Sequence, residues 1–176
     1  AFARNLSFNI TAYRYIYSDL QVQFFDPATV SLTAGNAGEL LTQGIEADFS
    51  YRMPTIDGLS LRGSAAWNDA EYRNYIGQCY SGQTVAGGCN LLPAGGVFNG
   101  QDYDGQRPPK APEFAARLGS TFERSVTGSG VMLRVNGDVS YTSSYNFSDA
   151  LRPDAVQDGF YKVDASISLV APDERW

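Results

Sequence analysis

Histidine is absent from this 176-residue sequence, and only two cysteines and two lysines occur in it. Without histidine, Ser-His-Asp and Cys-His nucleophile schemes, histidine-bearing zinc sites and histidine general bases are excluded. No run of 18 apolar residues is present, so a transmembrane helix is not expected. The net charge of −6 leaves no basic stripe to neutralise phosphates, which argues against nucleic acid as a partner.

Glycine and aromatic residues are abundant, with 18 Gly, 11 Tyr and 10 Phe, and this composition favours strands over helices. Apolar and polar residues alternate with the period of two that is typical of a β-strand. The alternation predicts six strands, within residues 6–12, 45–52, 59–67, 113–123, 131–142 and 161–169. From the second of these segments onward, one face carries no charge, whereas nearly half of the positions on the other face are charged.

Alternation alone fits either a transmembrane barrel or a soluble β-sandwich, because both have one apolar and one polar face. Strand length and connection length favour the barrel. Several segments reach roughly ten residues, the length of a tilted bilayer crossing, against about five or six for an ordinary strand. Short turns at 54–58 and 127–130 alternate with long connections at 24–38, 77–109 and 147–159, as periplasmic turns and extracellular loops do.

Aromatic residues near the strand ends predict the two girdles that mark the membrane interfaces of a barrel. We expect interface positions for Tyr13, Tyr15, Trp67, Tyr72, Phe122, Tyr141 and Tyr161. Arg14 disagrees with this scheme, because it continues the apolar parity of the first strand. Either it lies high enough to reach the lipid headgroups, or a bulge near Ala12 reverses the parity.

Four pieces of this layout are informative through their order and spacing. They are Gly35–Gly38 with Thr42–Asp48, Gly58–Leu61 with Ala66–Tyr72, Gly105–Phe114, and Asp164–Leu169 before Asp173–Trp176. Together they resemble TonB-dependent receptors of the bacterial outer membrane, and the resemblance covers nearly the whole chain. In the third piece, prolines stand where no ladder hydrogen bond is needed.

The resemblance implies a 22-stranded barrel closed by an N-terminal plug, which imports siderophores, other metal chelates, cobalamin or sugars with energy from the TonB complex. Residues 1–176 are then a partial barrel domain of about six strands, and we expect the plug, the TonB box and the final strands to lie outside this sequence. Its partners would be the lipid bilayer, the plug and remaining barrel, TonB and a small-molecule ligand. A passive porin-type barrel and a soluble carbohydrate-binding β-sandwich are the alternatives.

Cys79 and Cys89 lie in the longest connection, where short spacing and an oxidising compartment favour a disulfide over a metal site. In the same connection, Tyr80, Tyr103 and Arg107 are candidate ligand contacts, because aromatic and arginine side chains suit large chelates or sugars. No cofactor, metal site or catalytic constellation is predicted, and an enzyme is not expected. The predicted lumen-facing residues are Arg52, Arg62, Arg117, Arg134, Asp138 and Asp164.

Overall fold

Six long strands form one antiparallel sheet in a computed structural model that describes residues 5–26, 31–91, 100–126, 128 and 130–171. The strands are β1 (Leu6–Asp26), β2 (Ser31–Arg52), β3 (Leu59–Arg73), β6 (Phe114–Ser125), β7 (Met132–Thr142) and β10 (Phe160–Val170). They pair in the order β1-β2-β3-β6-β7-β10, so each long strand pairs with the next along the chain. The prediction of six antiparallel strands is confirmed.

The first hairpin is longer than the alternation predicts. Residues 24–38 were expected to form a long loop, yet backbone pairing of β1 with β2 extends to Asp26 opposite Ser31. That prediction was wrong because alternation reports the contrast between two faces, whereas a two-stranded ladder is also held by backbone hydrogen bonds. The hairpin therefore continues well beyond the part of the sheet in which apolar and polar residues alternate.

The short turns lie together at one end of the sheet. Residues 54–58 join β2 to β3, and the connection from β6 to β7 spans 126–131, of which 127 and 129 are outside the described residues. Gly58 has a φ of +83°, and a Cβ there would lie 1.8 Å from the carbonyl oxygen of Glu123. Glycine is required at this position because its backbone passes directly against β6.

The long connections at the other end contain structure of their own. Between β3 and β6 lie β4 (Ile76–Gln78), a 3-10 helix η1 (Val85–Gly87) and β5 (Gly100–Asp102), with β4 paired to β5. Between β7 and β10 lie β8 (Tyr145–Asn146) and β9 (Val156–Gln157), which also pair. Residues 92–99 of the first connection, and the expected Asp173–Trp176 approach to further strands, lie outside the described residues.

The six-stranded sheet is a single layer. Within the described ranges, no second sheet or helix covers its apolar face, and even residues of inner strands are open, with Leu118 49% and Ile45 45% exposed. No helix in the described part of the chain is long and apolar enough to cross a membrane. The buried apolar residues are few, and most belong to the long connections or the strand ends next to them: Leu41, Ala70, Tyr72, Cys89, Tyr103 and Ala155.

Candidate functional site

The apolar face of the sheet carries an uncharged band. On β3 it runs from Leu59 to Trp67, with Asp69 as the next residue on that face. On β6 it runs from Phe114 to Phe122, and Arg124 follows. Both stretches cover nine residues, and the uncharged face continues on β7 and β10, where 133–141 and 161–169 each have a tyrosine at the long-loop end. Nine to eleven residues is about the length of a transmembrane β-strand.

The band is slanted relative to the strand pairing. On the long-loop side Trp67 pairs with Phe114, but Tyr141 and Tyr161 lie one pair-step nearer the short turns. On the short-turn side Leu59 pairs with Phe122, whereas Tyr51 of β2 lies one pair-step further from the turns. One pair-step is about 6.7 Å along a strand, and two strands span about 9.6 Å across the sheet. A shift of one pair-step for every two strands therefore corresponds to a slant of about 35°. Barrel strands are tilted by about 35–45° to the barrel axis, so this band would lie level around a barrel.

The opposite face is a polar wall with a three-residue cluster at its centre. The Nη2 atom of Arg62 donates to both carboxylate oxygens of Asp138, each at 2.9 Å. Arg117 donates from Nε to Asp138 Oδ1 at 3.1 Å, so one carboxylate holds two guanidinium groups. Nearer the short turns, Arg134 Nε donates to Glu123 Oε1 at 2.6 Å. These contacts link β3, β6 and β7 across the wall.

At the long-loop end of the sheet, the two long connections form one loop platform, defined here as residues 76–91, 100–107 and 145–157. Cys79 and Cys89 are joined in a disulfide that closes the segment containing η1. The amide of Gln101 donates to the carbonyl oxygen of Ala150 at 3.5 Å, and the guanidinium of Arg152 lies 5.7 Å from the ring centroid of Tyr80. The platform therefore joins the β3–β6 connection to the β7–β10 connection.

The model of the family "TonB dependent receptor-like, beta-barrel" matches residues 2–176. The chain belongs to this family. Among solved structures, the ferric yersiniabactin uptake receptor FyuA from Yersinia pestis is similar, with a TM-score of 0.67 and 16% identity. The match covers 97% of this chain and 21% of that receptor, so the chain spans about a fifth of its length. No curated protein matches the sequence.

In a barrel of this family, the positions of the aromatic residues can be compared with the two interfacial girdles. Trp67, Tyr141 and Tyr161 lie on the apolar face at its long-loop edge, with the Tyr141 and Tyr161 ring centroids 4.7 Å apart. Phe122 lies on the same face at the short-turn edge. These four positions are those that an interfacial girdle requires.

The interface prediction fails for Tyr13, Tyr15 and Tyr72. Pairing of β1 with β2 is unbroken from Leu6 to Ser18, so Tyr13 and Tyr15 continue the polar face, with ring centroids 5.6 Å apart. Tyr72 is also on the polar parity of β3, and it is 6% exposed because the platform covers it. These residues were predicted at the interface because they lie near strand ends. The face on which each side chain lies depends instead on its odd or even position along the strand.

Tyr103 was predicted to contact ligand, and that prediction is wrong for the described structure because the side chain is only 2% exposed. Its ring stacks on Tyr75 at 5.1 Å, and its hydroxyl donates to the carbonyl oxygen of Gln78 at 3.1 Å. The Gln101 amide donates to the same hydroxyl at 2.6 Å. Burial raises the pKa of Tyr103 and of Tyr75. Tyr103 belongs to the core of the platform, and Tyr75 packs against it from the segment that follows β3.

Arg107 acts as an anchor between the platform and the sheet. Its Nη1 donates to the backbone carbonyl of Asn68 at 2.7 Å, and Nη2 lies 3.8 Å from Asp69 and 3.7 Å from Glu113. These contacts give Arg107 a structural role at the junction of β3 and β6, and its contact with ligand stays a prediction. Sequence composition could not distinguish this role, because an anchoring arginine and a ligand-binding one look alike until their partners are placed.

Tyr80 is the predicted ligand contact that remains at the surface of the platform. Its ring faces the guanidinium of Arg152, which itself donates to both oxygens of Asp154, at 2.9 and 2.7 Å. Those hydrogen bonds hold the pKa of the Asp154 carboxyl below its usual value. Arg152 was missed by sequence reasoning because it lies in the other connection, 72 positions from Tyr80. In the described part of the chain, no cluster of three or more cysteine or acidic side chains is arranged to hold a metal.

Two glycines on this barrel wall let a side chain reach across a whole strand. Gly119 lies between Arg62 and Asp138, and a Cβ there would approach the Asp138 carboxylate to 2.6 Å. Gly44 likewise leaves room for the Tyr13 side chain to cross β2, and the Tyr13 hydroxyl donates to Asn68 Oδ1 on β3 at 3.0 Å. The six predicted lumen positions share the polar parity of the sheet, and for Arg52 and Asp164 the register alone places them there.

Proposed function

We propose that the chain forms part of the barrel wall of a bacterial outer-membrane receptor for active ligand uptake. The observation that carries the proposal is the slanted, nine-residue uncharged band on one face of a single-layer sheet whose other face is charged. Hydrocarbon is the environment that removes the exposed apolar side chains from water without a second protein layer. This also argues against the soluble β-sandwich, which needs such a layer.

In this arrangement the polar wall faces the lumen, and the loop platform lies at the extracellular mouth. Lumen positions for Arg52, Arg62, Arg117, Arg134, Asp138 and Asp164 follow from their shared face. The plug, the rest of the barrel and the TonB complex are the partners that family membership supports. We take residues 1–176 as a partial barrel domain, which needs the remaining strands to pair its edges β1 and β10.

The ligand class is a siderophore, another metal chelate, cobalamin or a sugar. The similar structure is a receptor for ferric yersiniabactin, which makes ferric chelates the first compounds to test. Tyr80 and Arg152 are the proposed contacts, because they bring an aromatic face and a guanidinium together in the platform while both side chains stay partly accessible. Tyr103 and Arg107 support that surface from below.

The test is uptake by the full-length receptor in a strain that lacks it. We expect the receptor in the outer-membrane fraction, and accumulation of a labelled ferric chelate, cobalamin or sugar that stops when TonB is deleted. Uptake that continues without TonB would indicate a passive barrel instead. Recovery of a folded receptor from the soluble fraction would contradict the membrane location.

The ligand contacts are tested with two variants of the same loop. Tyr80→Ala should raise the concentration for half-maximal uptake, because it removes the half-buried ring of the Tyr80–Arg152 pair. Val85→Ala is the matched control, since Val85 is 70% exposed in the same disulfide-closed segment. Equal uptake by both variants and the unmodified receptor would remove Tyr80 from the site.

A further inference from the structure

Arg14 lies on the apolar face of the sheet. Pairing of β1 with β2 is continuous from Leu6 to Ser18, so no bulge changes the parity near Ala12. Arg14 pairs with Gln43, and Gln43 in turn pairs with Asp69 on β3. The side chain is exposed and points to the same side as Leu6, Phe8 and Ile10. The face of Arg14 is therefore the face of the uncharged band.

The slant of the band fixes the level of Arg14 within it. The nine-residue stretch on β3 and β6 ends at Trp67 and Phe114, and on β7 and β10 it ends at Tyr141 and Tyr161. On β1 the uncharged stretch ends at Ala12, which is in register with Trp67, and Arg14 is in register with Asp69, the residue that ends the stretch on β3. Four aromatic rings thus mark the long-loop edge of the band, and the Arg14 guanidinium lies at that edge. In a bilayer, aromatic girdles sit at the boundary between the hydrocarbon and the headgroups.

The carboxylates near Arg14 already have partners. Asp69 accepts from Gln43 Nε2 at 3.0 Å and lies 3.8 Å from Arg107. Glu113 accepts from Trp67 Nε1 at 3.2 Å and lies 3.7 Å from the same arginine. Within residues 5–26, 31–91, 100–126 and 130–171, no carboxylate lies within ion-pair distance of the Arg14 guanidinium.

We propose that Arg14 binds the phosphate of a lipid headgroup in the leaflet on the long-loop side. A guanidinium presents paired donors that match two phosphate oxygens, and at this level a lipid phosphate is the anion that a membrane supplies. Apolar neighbours on the same face, Ala12 and the exposed Ile16, leave room for acyl chains beside the headgroup. The inference rests on the proposed function for the placement of this face in lipid.

The test uses the full-length receptor in nanodiscs of phosphatidylcholine to which phosphatidic acid is added, with bound lipid counted by native mass spectrometry. Arg14→Gln should weaken binding of phosphatidic acid by about fivefold, the effect expected for one basic residue at a membrane surface. Arg52→Gln is the matched control, because it removes the same charge from the polar face at the short-turn end. Inorganic phosphate at the same concentration should not displace the lipid.

Equal binding by Arg14→Gln and the unmodified receptor would overturn the proposal, and so would an equal loss in Arg52→Gln. Where Arg14→Gln yields no folded barrel, Arg14→Lys decides: it keeps the charge but loses the paired donors, so intermediate binding is expected and unchanged binding contradicts the assignment. A receptor that inserts and transports ligand but shows no Arg14 effect would refute this inference alone. A receptor that does not insert would refute the proposed function instead.

Discussion

The strand wall and the loop platform place their apolar side chains in opposite environments. On the wall, Leu118 and Ile45 of inner strands remain about half exposed, whereas in the platform Tyr103 is 2% and Cys89 is 5% exposed. The wall therefore depends on a solvent other than water, and the platform has a small water-excluding core of its own. The two regions of the chain should therefore respond to different perturbations.

The largest expected effect is a charge placed in the middle of the band. Leu118→Arg should destabilise the full-length receptor in a bilayer by about 2–4 kcal/mol, the cost of an arginine at the midplane of a transmembrane barrel. Urea titration of the receptor folded into lipid vesicles measures this. Ala115→Arg on the polar face of the same strand is the control and should cost far less. Equal losses would mean that the two faces do not differ in environment.

Next is the disulfide of the platform. Cys79→Ser with Cys89→Ser should destabilise the platform by about 2–3 kcal/mol, the chain-entropy value for a ring this small. Limited proteolysis should then cleave within residues 79–89 while the strands stay protected, since no disulfide crosslinks the wall in the described residues. Cleavage within β6 or β7 as well would show that the two regions unfold together.

A smaller effect is expected from the Tyr103 hydroxyl. Tyr103→Phe keeps the ring but leaves the buried Gln101 amide with one partner fewer, a cost of about 1–3 kcal/mol. The pKa of Tyr103 is raised by burial, so its stabilisation is complete below the ordinary tyrosine value of about 10 and is lost as the pH rises above it. The protection factors of platform amides, which correct for the intrinsic rise of exchange with pH, should therefore fall at high pH.

Tyr103→Phe should reduce that alkaline loss without abolishing it. Tyr75 also has a raised pKa, so its ring contributes a pH dependence of the same sign. An identical alkaline profile for Tyr103→Phe and the unmodified receptor would show that the platform does not bury the Tyr103 hydroxyl.

Sequence patterns predicted the wall far better than the platform. Alternation in the sequence shows which residues share a face of the sheet, so five of the six segments predicted the uncharged band directly. The slant of the band became visible only with the register of the strand pairs. The roles of Tyr103 and Arg107 could not be predicted this way, because they depend on Gln78, Asn68 and Glu113, partners brought close only by folding. The cluster of Arg62, Arg117 and Asp138 was predicted as three wall residues but not as one contact network.

The smallest effect is expected at that cluster, and it tests whether the wall needs its long-range contacts. Arg62 and Arg117 are exposed, so each of their ion pairs with Asp138 should contribute little to stability. Gly119→Ala should cost more than removing either pair, because its methyl group enters the space between the Arg62 guanidinium and the Asp138 carboxylate. Gly137→Ala is the matched control, since its Cβ would meet the Ser120 hydroxyl at an ordinary 3.5 Å. Urea midpoints in vesicles that fall for Gly119→Ala and not for Gly137→Ala would show that the empty position on β6 exists to let β3 reach β7. Equal midpoints would mean that the arginine side chains adjust freely, and that the wall is held by its backbone ladder alone.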